Sequence, residues 1–223
     1  FMIIGSLPFV IYLQLLHKQN LLIIKDDQIK LFFQFLLIVI FVTTIWLFFY
    51  RPLSLVESVR ISFFNITSIL TGTGYTVNDY SNWGSFGLVI MIIIMFIGGC
   101  AGSTTGGIKV FRFQILFRGF RLQILFRGAK VQVKKLTQPH AIIPMRFNEK
   151  TVNENTYNSI MVFFFMYICI FLLSAVCLSF FNIDFITSFS AAASAISNVG
   201  PGIGDTIGPN GNYSSIHAGA KWI

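Results

Sequence analysis

Two stretches of this chain carry no charge over a length that matches the apolar thickness of a lipid bilayer. Leu31 to Tyr50 gives twenty residues without Asp, Glu, Lys or Arg. No charge stands between Glu154 and Asp184 either, a gap that holds the apolar run Ile160 to Phe181. As α-helix, twenty residues rise about 30 Å, the thickness of a hydrocarbon core. Composition agrees: 55% of the residues are hydrophobic, 11% are charged and 26 of the 223 are Phe, more apolar surface than a soluble domain of this size needs. The expected fold class is all-α integral membrane, multi-pass. Arg51-Pro52 closes the first span, since proline cannot continue a helix as a donor.

Between the spans lie elements too short to cross. Phe1 to Leu16 reads as the tail of a membrane helix interrupted near Gly5 and Pro8, followed by a polar loop from His17 to Lys30. Val59 to Leu70 is twelve residues, weakly apolar, with Ser62, Asn65, Thr67 and Ser68; about 18 Å of helix cannot span. Phe86 to Ile97 is strongly apolar and again covers half a bilayer before running into Gly98, Gly99, Cys100, Ala101, Gly102, Ser103, Thr104, Thr105, Gly106 and Gly107. Irregular backbone at membrane depth is tolerated only inside protein or along a wet cavity, so this segment predicts a broken helix that resumes at Ile108. Ile108 to Leu136 mixes apolar and basic residues and is expected along the cytoplasmic face. Within it Phe111 to Gly119 is repeated as Phe120 to Gly128 with one change, a local duplication to which no function is attached.

The charge is uneven. Lys109 to Lys150 holds ten Lys or Arg and one acid, Glu149, within a net charge of +8. Basic loops stay in the cytoplasm, which orients the chain: Leu31 to Tyr50 runs outward, and the segments after each half-length helix open outside. Contact with anionic lipid headgroups or docking of a cytosolic regulator fits the same stretch, and nucleic-acid binding is not expected. Cys100, Cys169 and Cys177 lack metal or disulfide spacing and read as small hydrophobes. His17, His140 and His217 are isolated in loops. Gly102 to Lys109 resembles a phosphate-binding loop, but its lysine is one position late and no strand precedes it.

A shift of 126 residues places Leu47 on Leu173, Ser62 on Ser188, Phe63 on Phe189, Ser68 on Ser194, Gly74 on Gly200 and Asp79 on Asp205. A span, a half-length helix and a glycine turn thus occur twice, the signature of a site built from repeated units. Glycine lets successive backbone carbonyls face one axis, where they can replace the water that a cation sheds. The candidate carbonyls are those of Thr71, Gly72, Thr73 and Gly74 in the first turn. In the second they are those of Ser197, Asn198, Val199 and Gly200. Helix C-termini aimed at the same place favour a cation. Asp79 and Asp205 would add negative potential at the mouth.

These motifs resemble the Trk/Ktr/HKT superfamily of potassium uptake proteins, and its bacterial Trk-type membrane subunit in particular. The resemblance rests on the Thr71 to Tyr75 turn, on Asn198-Val199-Gly200-Pro201-Gly202, and on Gly98 to Lys109. It implies four helix–pore loop–helix repeats around one pore in a bacterial inner membrane, with one filter glycine per repeat. Gly74 and Gly200 would be the filter glycines of the third and fourth repeats. Gly98, Gly99, Gly102, Ser103, Thr104, Thr105, Gly106 and Gly107 would form an intramembrane gate. The implied partners are membrane lipids, a second copy of the full-length protein and a cytosolic nucleotide-binding regulator; K⁺ is the transported ion and no cofactor is expected. Residues 1–30 would end a preceding repeat and its cytoplasmic loop. Residues 31–137 would form one repeat, 138–156 a cytoplasmic loop, and 157–223 a further repeat truncated before its last helix. The chain would then be a fragment of one about twice as long. Two other classes stay open. A proton- or sodium-coupled secondary cation transporter would normally carry an intramembrane carboxylate, and a polytopic membrane enzyme an acid pair or nucleophile near the membrane surface. Neither feature stands in the spans, and an enzyme is not expected.

Overall fold

The computed structural model describes residues 1–17, 26–124, 145–147, 150–152 and 154–223. About half of the loop expected at residues 138–156 lies outside them. So do most of the loop after His17, the end of the second nine-residue copy and the boundary placed at residue 137. The chain forms two compact units, Phe1–Val110 with Cys169–Ile223, and Phe111–Ile168.

The first unit opens with α1 (Met2–Gly5) and α2 (Phe9–Leu16). The interruption between them falls at Pro8, extended at φ −62° and ψ 131°, as the sequence predicts. The first span is α3 (Asp27–Tyr50), capped by Asp26, whose carboxylate accepts from the Gln28 amide at 2.9 Å. Ile29, Phe32, Leu36, Ile40, Thr43 and Leu47 form its one buried stripe, at helical spacing. Leu37, Ile38, Phe41, Ile45 and Phe49 face outward. Only 28% of its apolar window is buried, which fits a helix bathed in lipid rather than the core helix of a soluble protein.

The next helix, α4 (Leu55–Leu70), begins four residues before its expected start. The reason is local: Ser54 and Glu57 form a capping box, a signal carried by side chains outside the apolar stretch. At sixteen residues, about 24 Å, it remains short of a span. Its polarity is turned inward. Ser58, Ser62, Asn65 and Ser68 are fully buried, while Leu55, Val56, Val59 and Phe63 are exposed. Helix α5 (Gly84–Phe96) is tied to α3 by the Trp46 indole N–H, which donates to the Trp83 carbonyl at 2.8 Å. Phe32, Leu36, Ile66, Ile69, Met91, Ile94 and Met95 join in one core. Helical structure resumes at Val110 rather than Ile108, because Ile108 pairs with Ile97 in an isolated parallel bridge.

The second long apolar helix, α7 (Glu154–Ser179), has 22% of its window buried. It is followed by α8 (Phe185–Ser197), where Asp184 caps the start by accepting from the Thr187 amide at 3.1 Å. Thr187, Ser188, Ser190, Ser194 and Ser197 are buried, while Phe185 and Ile186 face out, the same inversion as in α4. A polar face turned inward on a short helix leaves hydroxyls available to hold adjoining backbone.

The second unit contains α6 (Val110–Ile124) from Phe111 onward and the start of α7. Ile115 and Ile160 are buried among Phe111, Tyr157 and Phe164, and the Arg112 guanidinium sits 3.8 Å from the Phe163 ring centre. One feature departs from an all-α expectation: β1 (Met145–Phe147) pairs antiparallel with β2 (Lys150–Val152), Arg146 opposite Thr151. Its strands are three residues each, too short to give a period-2 signal that could be read in sequence.

Two turns and a glycine loop as candidate ion site

The two glycine turns are held by corresponding hydrogen bonds. The Gly72 amide donates to Ile69 O at 3.0 Å, and its counterpart Asn198 to Ala195 O at 3.1 Å. Thr73 donates to Ser68 O at 2.9 Å and Val199 to Ser194 O at 3.0 Å. Each pair is related by the 126-residue shift read from the sequence. Backbone signs agree too: φ is +65° at Gly72 and +54° at Asn198, then +78° at Gly74 and +111° at Gly200. Asn serves at position 198 because its short side chain tolerates the left-handed region better than most. At the next position the turns differ. The Gly74 amide donates to Ser68 O at 3.4 Å, and the Gly200 amide to the Ser194 hydroxyl at 3.1 Å.

The turns meet. A Cβ at position 74 would lie 2.4 Å from the Val199 carbonyl oxygen, and one at position 72 would lie 3.5 Å from Asn198 O. The glycine loop reaches the same place: a Cβ at Gly106 would sit 1.8 Å from Ser197 O. Any side chain at position 74 or 106 would drive apart backbones that now touch. Gly72, Gly74, Ser197, Asn198, Val199 and Gly106 therefore lie against one another. Among the described residues, no hydrogen-bond donor reaches the carbonyl oxygens of Thr71, Gly72, Thr73, Gly74, Asn198 or Val199. Oriented carbonyls without protein donors are the groups that can bind a partly dehydrated cation.

The loop itself is a pinched excursion. Gly98 N donates to Ile108 O and Ile108 N to Phe96 O, both at 2.9 Å, so its two ends close on each other. Thr105 Oγ1 accepts from Gly99 N at 2.8 Å. The break between α1 and α2 braces it from outside: Cys100 N donates to Ser6 O and Phe9 N to Gly102 O, both at 3.0 Å, and Thr104 Oγ1 donates to Gly5 O at 3.0 Å. Lys109 folds back onto it. Its ammonium donates to Ser103 O and Ser103 Oγ at 3.3 Å, to Thr105 Oγ1 at 2.9 Å and to Thr105 O. Gly102 and Thr104 remain exposed, whereas Gly98, Gly99 and Thr105 are buried.

The two candidate mouth carboxylates do not match each other. Asp79 is occupied in the loop: it accepts from Ser81 N at 2.9 Å, from Asn82 Nδ2 at 3.1 Å and from Asn210 Nδ2 at 3.3 Å. Asp205 is exposed.

Several residues that sequence inspection left aside hold the second turn. Ser190 Oγ accepts from Ile203 N at 2.9 Å and donates to Ile203 O at 3.1 Å. The Tyr80 hydroxyl donates to Gly202 O at 2.8 Å, and that of Tyr213 to Gly200 O at 3.0 Å. Burial pushes both phenols above the usual tyrosine range, so both stay donors at neutral pH. Ser194 carried a signal, its match to Ser68. The tyrosines carried none, because shifting Tyr80 or Tyr213 by 126 lands on Thr206 or Gly87.

Comparison with known proteins gives one consistent result. The profile of the TrkH family, described as cation transport protein, matches residues 1–215. The chain is 35% identical over its whole length to the Trk system potassium uptake protein TrkI of Halomonas elongata, covering 43% of that protein. It is 28% identical to the TrkH potassium uptake protein of Escherichia coli K12, covering 44% of it. Among solved structures, the potassium transporter TrkH from Vibrio parahaemolyticus superposes with a TM-score of 0.81 at 26% identity, over 99% of this chain and 46% of that one. The chain thus spans less than half the length of the relatives it matches. With its fold, its motifs and its sequence all pointing to the same relatives, the chain belongs to the TrkH family of cation transport proteins.

Proposed function

We propose that this segment supplies the third repeat and part of the fourth to a potassium-uptake pore. The carbonyls of Thr71, Gly72, Thr73, Gly74, Ser197, Asn198, Val199 and Gly200 contribute half of a selectivity filter. α4 and α8 are its pore helices, and residues 98–107 form the gate beside it. K⁺ passes by exchanging hydration water for these oxygens. The observation that carries this is the junction of the turns: two backbones of related hydrogen-bonded shape, in contact, in which no donor among the described residues reaches the carbonyls of Thr71, Gly72, Thr73, Gly74, Asn198 or Val199. Two helix C-termini directed into these turns add negative potential for a cation.

In this role the protein is a multi-pass inner-membrane transporter that catalyses no reaction. Asp79 and Asp205 lie on its outer side, and the basic stretch from Lys109 to Lys150 lies in the cytoplasm. The complete protein works as a homodimer with a cytosolic nucleotide-binding regulator. Gly200→Ser in the full-length transporter tests the filter. A side chain at φ +111° strains the turn, and we expect the K⁺ over Na⁺ preference in competitive uptake to fall at least about tenfold, which corresponds to some 1.4 kcal/mol. An unchanged preference would remove the filter role.

A further inference from the structure

We propose that Tyr213 is a positioning residue for the second turn, its hydroxyl fixing the direction of the Gly200 carbonyl and thereby contributing to the choice of cation. This rests on the filter role proposed above and adds a residue outside the turns to it.

Gly200 is open on the side where a side chain would stand. A Cβ there would meet nothing within 4 Å, whereas Gly74 is pressed against the Val199 carbonyl. Hydrogen bonds take the place of packing. Ser194 Oγ accepts from the Gly200 amide at 3.1 Å and the Tyr213 hydroxyl donates to the Gly200 carbonyl at 3.0 Å, so both polar groups of that residue are tied to side chains. The other candidate carbonyls named above as free of donors have no such tie.

Tyr213 is itself anchored. It begins a short 3₁₀ turn, Tyr213–Ser215, capped by Asn212, whose Oδ1 accepts from Ser214 N at 3.0 Å; Lys221 Nζ donates to Ser214 O at 2.9 Å. A carbonyl oxygen has two lone pairs, so one can take the phenol while the other faces an ion. Held by the phenol, the Gly200 oxygen cannot close in on a cation smaller than the one it fits. Freed, it can follow a smaller ion inward, and discrimination weakens.

The test is Tyr213→Phe in the full-length transporter, reconstituted in vesicles, with K⁺ and Na⁺ competing against labelled Rb⁺. Loss of one such hydrogen bond is expected to lower the K⁺ over Na⁺ preference about 3- to 10-fold, with the thermal midpoint unchanged. Ser194→Ala is expected to move the preference the same way. A fluorinated tyrosine incorporated at position 213 keeps the ring and its packing, and loses its proton within the working pH range. Preference that falls as this group ionises supports the role even if the Phe variant does not assemble. Preference that stays constant in either variant overturns it. The Gly200→Ser result separates the two proposals. If Gly200→Ser lowers preference and Tyr213→Phe does not, only the tyrosine role is lost. If neither changes it, the filter assignment itself is lost.

Discussion

Gly74 and Lys109 show how much of the candidate site depends on single positions. At Gly74 a methyl group would collide with the Val199 carbonyl at 2.4 Å and with Pro201 Cδ at 3.1 Å, at φ +78°. Gly74→Ala should therefore cost about 2–4 kcal/mol, combining left-handed strain with overpacking. The thermal midpoint of the purified protein measures it; a midpoint equal to wild type would mean the turns do not touch. Lys109 is held by four oxygens of the glycine loop, two of them hydroxyls. Charge-assisted bonds are the stronger kind, and removing them should loosen the loop. If that loop gates the pore, Lys109→Gln raises K⁺ flux at least about tenfold, the factor that the loss of a single such bond would give. Flux at the wild-type level would detach the lysine from gating.

Among the elements, α4 and α8 carry the reasoning. Each is a short helix with hydroxyls inside and apolar side chains outside, and each is followed within two residues by a left-handed residue that turns the chain, Gly72 after α4 and Asn198 after α8. Their starts are set by caps. At α8, burial opposes ionisation of Asp184, but hydrogen bonds from Thr187 and neighbouring amides outweigh it and hold the carboxyl below its ordinary range. A lowered folded-state pKa stabilises the helix above the unfolded-state value, about 4, and that contribution is lost as pH falls through the folded-state value. Asp184→Ala should cost about 1 kcal/mol at neutral pH and progressively less in acid. Denaturant titrations at pH 7 and in acid check this; an equal cost at both would assign the effect to something other than the charged cap.

For the molecule as a whole, the proposed topology sets an orientation that labelling can test. Arg51, Arg60 and Lys221 fall on the proposed outer side, against thirteen Lys and Arg inside. A cysteine placed at Asn82 should react with a membrane-impermeant maleimide added outside intact cells. Cys100, fully buried in the glycine loop, should stay protected in the folded protein. Labelling of the Asn82 cysteine only after the inner face is opened would invert the topology.

Much of this was legible in the residues. The spans follow from charge-free length, the break at residues 98–107 from its glycines, and the kinship of the turns from a 126-residue repeat. Where the repeat matched Ser68 with Ser194, their carbonyls accept from the corresponding amides of Thr73 and Val199. Other facts belong to tertiary structure alone. Leu47 and Leu173 occupy corresponding positions, yet one is 1% and the other 65% exposed, because burial depends on neighbours that periodicity does not name. The ends of the glycine loop, its hold on Ser6 and the reach of Tyr80 across 122 residues to Gly202 are contacts between distant segments. Sequence marked the two helices long and apolar enough to cross a membrane, since that depends on the composition of one stretch. Which backbone atoms converge was decided only when the chain closed on itself.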